Sequence, residues 1–245
     1  MNTTGNASLQ RPQVAVIIPA YNEEETVGEV AKVASVAALV DEVVVVDNAS
    51  SDDTAGAARE AGARVVRCEE KGKGQAMRAG VAATEAEFIC FLDADLLNLG
   101  PAHVDRLIKP IIDGDAGMTL GLFDRGPELN PLFLNALPRL TGQRAMHRSL
   151  FEGLDIEHIK GYKVEAALNS RADELGLEID AFVCDGLWHR TKEEKHRHGR
   201  VAGSLRKVGM LATAVWSYVS YAVRRPFQSG SGTTVKERED EITEG

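Results

Sequence analysis

Asp93 and Asp95 follow the apolar run Phe88–Leu92 with only Ala94 between them, in the stretch FICFLDADLLNL. Two carboxylates at the end of such a run suit a hard divalent cation shared with substrate phosphates, one carboxylate facing the metal and the other a ligand. The same pair serves equally as an ordinary cap, because Asp is common where strands end. Three more polar clusters present the same choice. KGKGQAMRAG, residues 71–80, joins glycines to Lys71, Lys73 and Arg78 at a helix start. Backbone amides and a lysine there can take a phosphate, or the segment is a solvated turn. It lacks the Gly-Lys-Ser/Thr ending of a Walker loop. PAYNEEET (19–26) reads as a ligand loop or an acidic first helical turn, and DNASSDDT (47–54) as a ligand loop or an N-capped turn.

The elements that would position these clusters alternate. VAVIIPA (14–20), EVVVVD (42–47) and FICFLD (88–93) are β-branched or apolar runs of strand length, and ARVVR (63–67) can add a short strand. Helical segments are expected over Glu24–Leu39, Asp52–Ala61 ahead of Gly62, and Gln75–Thr84. This order predicts a doubly wound, mostly parallel sheet with right-handed crossovers. Ligands then bind at the carboxyl ends of the strands, so Pro19–Glu23, Asp47–Ser50 and Asp93–Asp95 should meet at one crevice. Further along, a helix is expected over 101–113, a strand over AGMTLGLF (116–123), a helix over Gly161–Leu175 and a strand over EIDAFVC (178–184). There is no internal repeat.

With 245 residues, 44% of them hydrophobic and 27% charged, the chain can bury a sizeable core as one domain. A net charge of −9 argues against general nucleic-acid binding. Cys68, Cys90 and Cys184 are odd in number and lack metal-ligand spacing, and no leader pattern precedes them, so a cytoplasmic setting is expected. Basic residues collect between His189 and Lys207. The run VGMLATAVWSYVSYAV (208–223) follows, bracketed by Arg206, Lys207, Arg224 and Arg225. Its length is short for a membrane span, which leaves a core helix or one lying in a membrane interface.

PAYNEEET, VVDNASSDDT, GKGQAMRAG and DADL, in that order, resemble the nucleotide-sugar glycosyltransferases of family two over about residues 12–125. The resemblance implies a GT-A fold: a Rossmann-like, mostly parallel α/β sheet flanked by helices, with a helical C-terminal segment. Two branches are similar, the polyprenyl-phosphate sugar transferases and the glucosyl-3-phosphoglycerate synthases. Carried over residue by residue, Pro19, Ala20, Asn22 and Glu23 hold the nucleoside, Asp47 and Asn48 approach base and ribose, and Lys73 lies near the nucleotide. Asp93 is oriented toward ribose or sugar, Ala94 lies against the nucleotide, and Asp95 is the direct ligand of Mg2+ or Mn2+. His189, in GLWHR, resembles a late histidine that completes the metal site; a solvated or phosphate-facing side chain is the other reading. PRLTGQRAM (138–146) resembles the acceptor-side loop, where Arg139, Thr141 and Arg144 would grip a phosphate.

The expected donor is a UDP or GDP sugar and the acceptor bears a phosphate, with polyprenyl phosphate as first choice and 3-phosphoglycerate as the alternative. A phosphate acceptor needs no strong base; a hydroxyl would need one, for which Asp185 and Glu165 are candidates. The expected layout is a flexible N-terminus (1–11), one domain (12–225) and a disordered tail (226–245). Within the domain, 12–125 is the nucleotide-sugar half, 126–200 the acceptor half and 201–225 the C-terminal helix. Peripheral membrane contact through 206–225 and a homodimer are compatible with this layout. A nicotinamide oxidoreductase is disfavoured, since no Gly-x-Gly-x-x-Gly follows the first strand. A binding protein without catalysis would keep the fold and lose turnover.

Overall fold

The computed structural model describes residues 13–135, 141–155 and 163–189. Val14–Ala20 (β1) is buried at every residue but Pro19, as a strand covered on both faces must be. It leads through Val27–Ser35 (α1) to Glu42–Asp47 (β2), then Thr54–Glu60 (α2), Arg64–Arg67 (β3), Lys73–Ala82 (α3) and Phe88–Phe91 (β4). Leu96–Leu97 (β5), Pro101–Ile112 (α4), Met118–Phe123 (β6) and Asn130–Asn135 (α5) follow. The described chain closes with Arg144–His147 (β7), Arg148–Glu152 (α6), Lys163–Glu174 (α7), Ile179–Cys184 (β8) and Trp188–His189 (β9).

Seven strands form one sheet in the order β3-β2-β1-β4-β7-β6-β8. β3, β2, β1 and β4 pair in parallel, β8 is parallel to β6, and β7 alone runs opposite to its neighbours β4 and β6. The carboxyl ends of the other six strands therefore share one edge, and β7 begins at that same edge. The expected mostly parallel sheet and the convergence of the three loops are both present.

Alternation along the strands feeds two cores. Val16, Ile18, Val45 and Cys90 pack with Val27 and Val30 of α1 and Val104 and Leu107 of α4. Ile17, Val44, Val46 and Phe91 face the other way, against Met77 and Val81 of α3 and Val164 and Leu168 of α7. Each helix thus buries its apolar stripe on one sheet face, and the loops at the sheet edge are held by both layers.

Three expectations need correction. α1 begins at Val27 rather than Glu24, because Glu23–Thr26 form a turn in which Thr26 and Val27 both donate to the Glu23 carbonyl. α3 begins at Lys73, two residues before the expected Gln75; Gly72, at φ 139, supplies the conformation that starts it, and Ala76 N–H closes the first turn on the Gly72 carbonyl. PRLTGQRAM is not all loop, since Arg144–His147 is a strand inside the sheet. The apolar run 208–223, the membrane contact through 206–225, and Arg139 lie outside the described residues. Among those described, no helix is long and apolar enough to cross a membrane.

Gly80 sets how closely α3 lies on the sheet. A Cβ there would stand 2.3 Å from Ile17 Cγ2 and 3.0 Å from Val46 Cγ2. Gly80→Val should destabilise the fold by about 1–3 kcal/mol, the usual cost of overpacking a tight contact, seen as a lower urea midpoint with an unchanged m-value.

Candidate functional site

The first two loops at the edge are stitched together. Asn22 N–H donates to Ser50 Oγ (3.0 Å), Ser51 N–H to Asn22 Oδ1 (2.8 Å), Glu23 N–H to Thr54 Oγ1 (2.8 Å) and Asp53 N–H to Glu24 Oε2 (2.9 Å). Asn22 takes a positive φ of 56°, which Asn tolerates better than most residues. Asp47 is buried, accepting from Ser50 N–H and from the Arg67 guanidinium at 3.1 Å. Asn48, also buried, donates to the Glu70 carbonyl (2.7 Å) and accepts from Gly72 N–H (2.8 Å), tying the second loop to the glycine turn before α3. These side chains, expected as nucleotide contacts, shape the crevice wall through internal bonds. Pro19 and Ala20 end β1 beside them, with Ala20 buried. Tyr21, which motif matching passed over, is 50% exposed at this edge with the Lys71 ammonium 5.5 Å from its ring centre. An aromatic residue directly after a strand's end was the signal available for it.

The centre of the site is Asp93. Lys73 Nζ lies 2.8 Å from Asp93 Oδ1 and 2.8 Å from Glu165 Oε1, and Gln143 Nε2 donates to Asp93 Oδ2 at 2.8 Å. Gly142 lies under this carboxylate so closely that a Cβ would stand 2.2 Å from Asp93 Oδ1. Burial opposes charge on Lys73, but Asp93 and Glu165 outweigh it and raise the ammonium above its usual value. Burial would likewise raise Asp93; Lys73, the Gln143 bond and the nearby His189 outweigh it and hold the carboxyl below its usual range. Ala94 is buried next to it.

Arg144 and Thr141 do not face an acceptor. Arg144 is 0% exposed, and its guanidinium donates to the Thr141 carbonyl (2.6 and 3.2 Å), the Glu165 carbonyl (3.3 Å) and Asn169 Oδ1 (3.3 Å). Burial lowers its pKa to about 10, against the raising effect of Glu165 and Asp93. The Thr141 hydroxyl is buried and donates to the Gly121 carbonyl at 2.7 Å. A charge with its donors spent on internal contacts and no solvent face cannot grip a ligand phosphate, so both residues brace the wall that carries Gln143. Their place on or beside a central strand is the physical reason. Gln143, whose importance no motif announced, does reach Asp93.

His189 arrives on a separate arm. β5 and β9 pair antiparallel with Leu96 opposite His189 and Leu97 opposite Trp188, which brings the histidine to the residue that follows Asp95 in the chain. The turn before it is clamped twice: Gly186 N–H donates to Asp124 Oδ2 (3.0 Å), and Asn98 Nδ2 donates to the Gly186 carbonyl (3.2 Å). Asp124 N–H also donates to the Leu187 carbonyl (3.1 Å), and the Phe123 and His189 rings lie 4.7 Å apart. Bonds from Asn130, Gly186 and Gly126 pull the Asp124 pKa down to about 2. Asp95 and His189 offer a carboxylate and an imidazole, donors that Mg2+ or Mn2+ accept. Among the described residues no group of three or more such side chains gathers. A cation held here must complete its shell from water or ligand oxygens, as Mg2+ does with phosphates.

Residues 15–166 match the model of the family described as glycosyl transferase family 2. A glucosyl-3-phosphoglycerate synthase of Mycobacterium tuberculosis is 38% identical over 213 residues, which cover 71% of this chain and 65% of that protein. The chain thus spans less than two thirds of that relative's length. A glucosyl-3-phosphoglycerate synthase of Petrotoga mobilis is 27% identical over 81% of this chain and 73% of its own. The crystal structure of the M. tuberculosis synthase with Mn2+, UDP-glucose and phosphoglyceric acid superposes with a TM-score of 0.68 at 28% identity, covering 85% of this chain and 79% of that one. The sheet and its flanking helices have the GT-A fold that the motifs implied.

Gly142→Ala should force the Asp93 carboxylate off Lys73 and Gln143, with a stability loss of about 1–3 kcal/mol from bonds left unmade, measurable as a lower thermal midpoint. For Asp124, the folded value lies below the unfolded one, so the ionised form stabilises the fold; that contribution is full above about pH 4 and lost as pH falls toward about 2. Asp124→Asn should lower the thermal midpoint at pH 7, and the gap from wild type should close on acidification across that window.

Proposed function

The chain belongs to glycosyl transferase family 2, and we propose that it transfers glucose from UDP-glucose to 3-phosphoglycerate with the aid of Mg2+ or Mn2+. The observation that carries this reading is the division of labour between the two carboxylates. Asp93 is held on both oxygens by Lys73 and Gln143, while the β5–β9 pairing sets His189 opposite Leu96, one residue after Asp95. Polyprenyl phosphate, the first expectation from the sequence, gives way to 3-phosphoglycerate, because relatives named for that acceptor match most of the chain and a structure described with it shares the fold.

Asp95 and His189 would hold the cation, which when bound stabilises the charge that develops on the departing diphosphate. Lys73 has three donors, two of them engaged by Asp93 and Glu165, so one is left to point at a phosphate oxygen. Asp93 keeps lone pairs for a ribose or sugar hydroxyl while its bonds fix its orientation. The Tyr21 ring supplies an exposed apolar face on which a base can stack. Glu165 is buried behind Lys73 and bonded to it, which suits a brace for the ammonium better than a base open to an acceptor.

Purified protein incubated with UDP-glucose, Mg2+ and 3-phosphoglycerate should yield glucosyl-3-phosphoglycerate. Asp95→Ala should cut that rate at least about a hundredfold, on the scale of losing a main electrostatic stabiliser, and should weaken Mn2+ binding followed by electron paramagnetic resonance while the thermal midpoint holds. Transfer to polyprenyl phosphate with none to 3-phosphoglycerate would overturn the acceptor assignment. Full activity in Asp95→Ala would overturn the mechanism.

A further inference from the structure

Asp124 is the first residue after β6, and N–H groups from two separate segments converge on its carboxylate. Oδ1 accepts from Gly126 N–H at 2.9 Å and from Asn130 Nδ2 at 3.0 Å, while Oδ2 accepts from Gly186 N–H at 3.0 Å. Asn130 Oδ1 in turn accepts from Arg125 N–H at 2.8 Å. One side chain therefore ties the loop 124–130 to the turn that precedes β9. An ionised carboxylate suits this post because it accepts on both oxygens and donates nothing. An amide has a single accepting oxygen, so its NH2 group would be set against either Gly186 N–H or the two donors now on Oδ1.

The turn that Asp124 holds has little freedom. Gly186 and Asn98 both take left-handed φ values, 69° and 59°. Gly186 spends its N–H on Asp124 and its carbonyl on Asn98 Nδ2. Leu187 spends its N–H on the Cys184 carbonyl (3.0 Å) and its carbonyl on Asp124 N–H (3.1 Å), with its side chain 1% exposed in the core. β9 follows at once. It has two residues and pairs with β5, which also has two, and a pairing that short is marginal by itself. The placement of His189 therefore leans on the turn before it and on the Phe123 ring, 4.7 Å from the imidazole. With three of its roughly four lone-pair sites taken, Asp124 supports the arm and is not a further cation donor.

We propose that Asp124 is a positioning residue for the cation: its carboxylate fixes the turn that sets His189 toward the metal, and holds the loop 124–130 in the same grip. The inference rests on the assignment of His189 to the metal made under the proposed function.

The test is Mn2+ affinity in the presence of UDP, followed by electron paramagnetic resonance on the full chain at a temperature where circular dichroism shows each variant folded. Asp124→Asn should weaken Mn2+ binding about tenfold, the lower end of the cost of losing an outer support of a metal ligand. Asn98→Gly keeps the left-handed backbone and removes the other clamp on Gly186, and should weaken binding in the same direction by less. His189→Ala should weaken it at least as much as Asp124→Asn, and the double variant should bind no more weakly than His189→Ala alone, because both changes remove one interaction. A lower thermal midpoint with unchanged Mn2+ affinity in Asp124→Asn makes the residue a support of the fold only and overturns the inference, as does full additivity in the double variant. Unchanged affinity in His189→Ala removes the metal role of His189 itself, and the inference with it.

Discussion

The Asp93 carboxylate is held between Lys73, 20 residues before it, and Gln143, 50 residues after it, over the bare backbone of Gly142. A part-buried charge is costly unless its partners are fixed, and removing one partner strands the rest. Three segments of the chain must therefore be in place together: the first turn of α3, the carboxyl end of β4 and the entry to β7. Glu165 of α7 joins them by taking a second bond from Lys73. The geometry of the crevice depends on this charge cluster more than on any single loop.

The supports of the cluster are layered. Gly80 lets α3 press on β1 and β2, which fixes where Lys73 projects. Arg144 reaches from β7 to the Thr141 and Glu165 carbonyls and to Asn169, binding the entry to that strand against α7. Its burial without a directly bonded carboxylate is tolerated because internal acceptors, the Thr141 and Glu165 carbonyls, Asn169 Oδ1 and Met118 Sδ, replace the water it gives up. On the far side, Asp124 and Asn98 clamp the turn that leads into the strand carrying His189. One carboxylate of the pair is thus held on both oxygens by protein side chains, and its neighbour is set next to the arm.

The parallel half of the sheet was legible from composition and period. Runs such as VAVIIPA and EVVVVD have the apolar continuity of strands covered on both faces, and Gly62 marked the end of the second helix. The four loop clusters were likewise visible, since polar residues gathered after such runs have few purely structural precedents when they share a sheet edge. β7 was not visible: RAMH carries no alternation long enough to register, and its place in the sheet comes from pairing with Phe88–Phe91 and with β6. The two-residue strands β5 and β9 give no periodic signal either, yet they bring His189 opposite Leu96, next in the chain to Asp95.

The sequence by itself determined the layered α/β architecture, the sheet edge at which the polar loops gather and the family to which the chain belongs, because hydrophobic period and motif order are local properties of the chain. Only the tertiary structure decided which polar side chains are spent on the protein and which are offered outward. Asn48, Thr141 and Arg144 are types that bind ligands as readily as they brace loops, and the choice lies in burial and in partners tens of residues away. Electrostatic roles are set by distance and solvent exposure, which the linear order of residues does not encode.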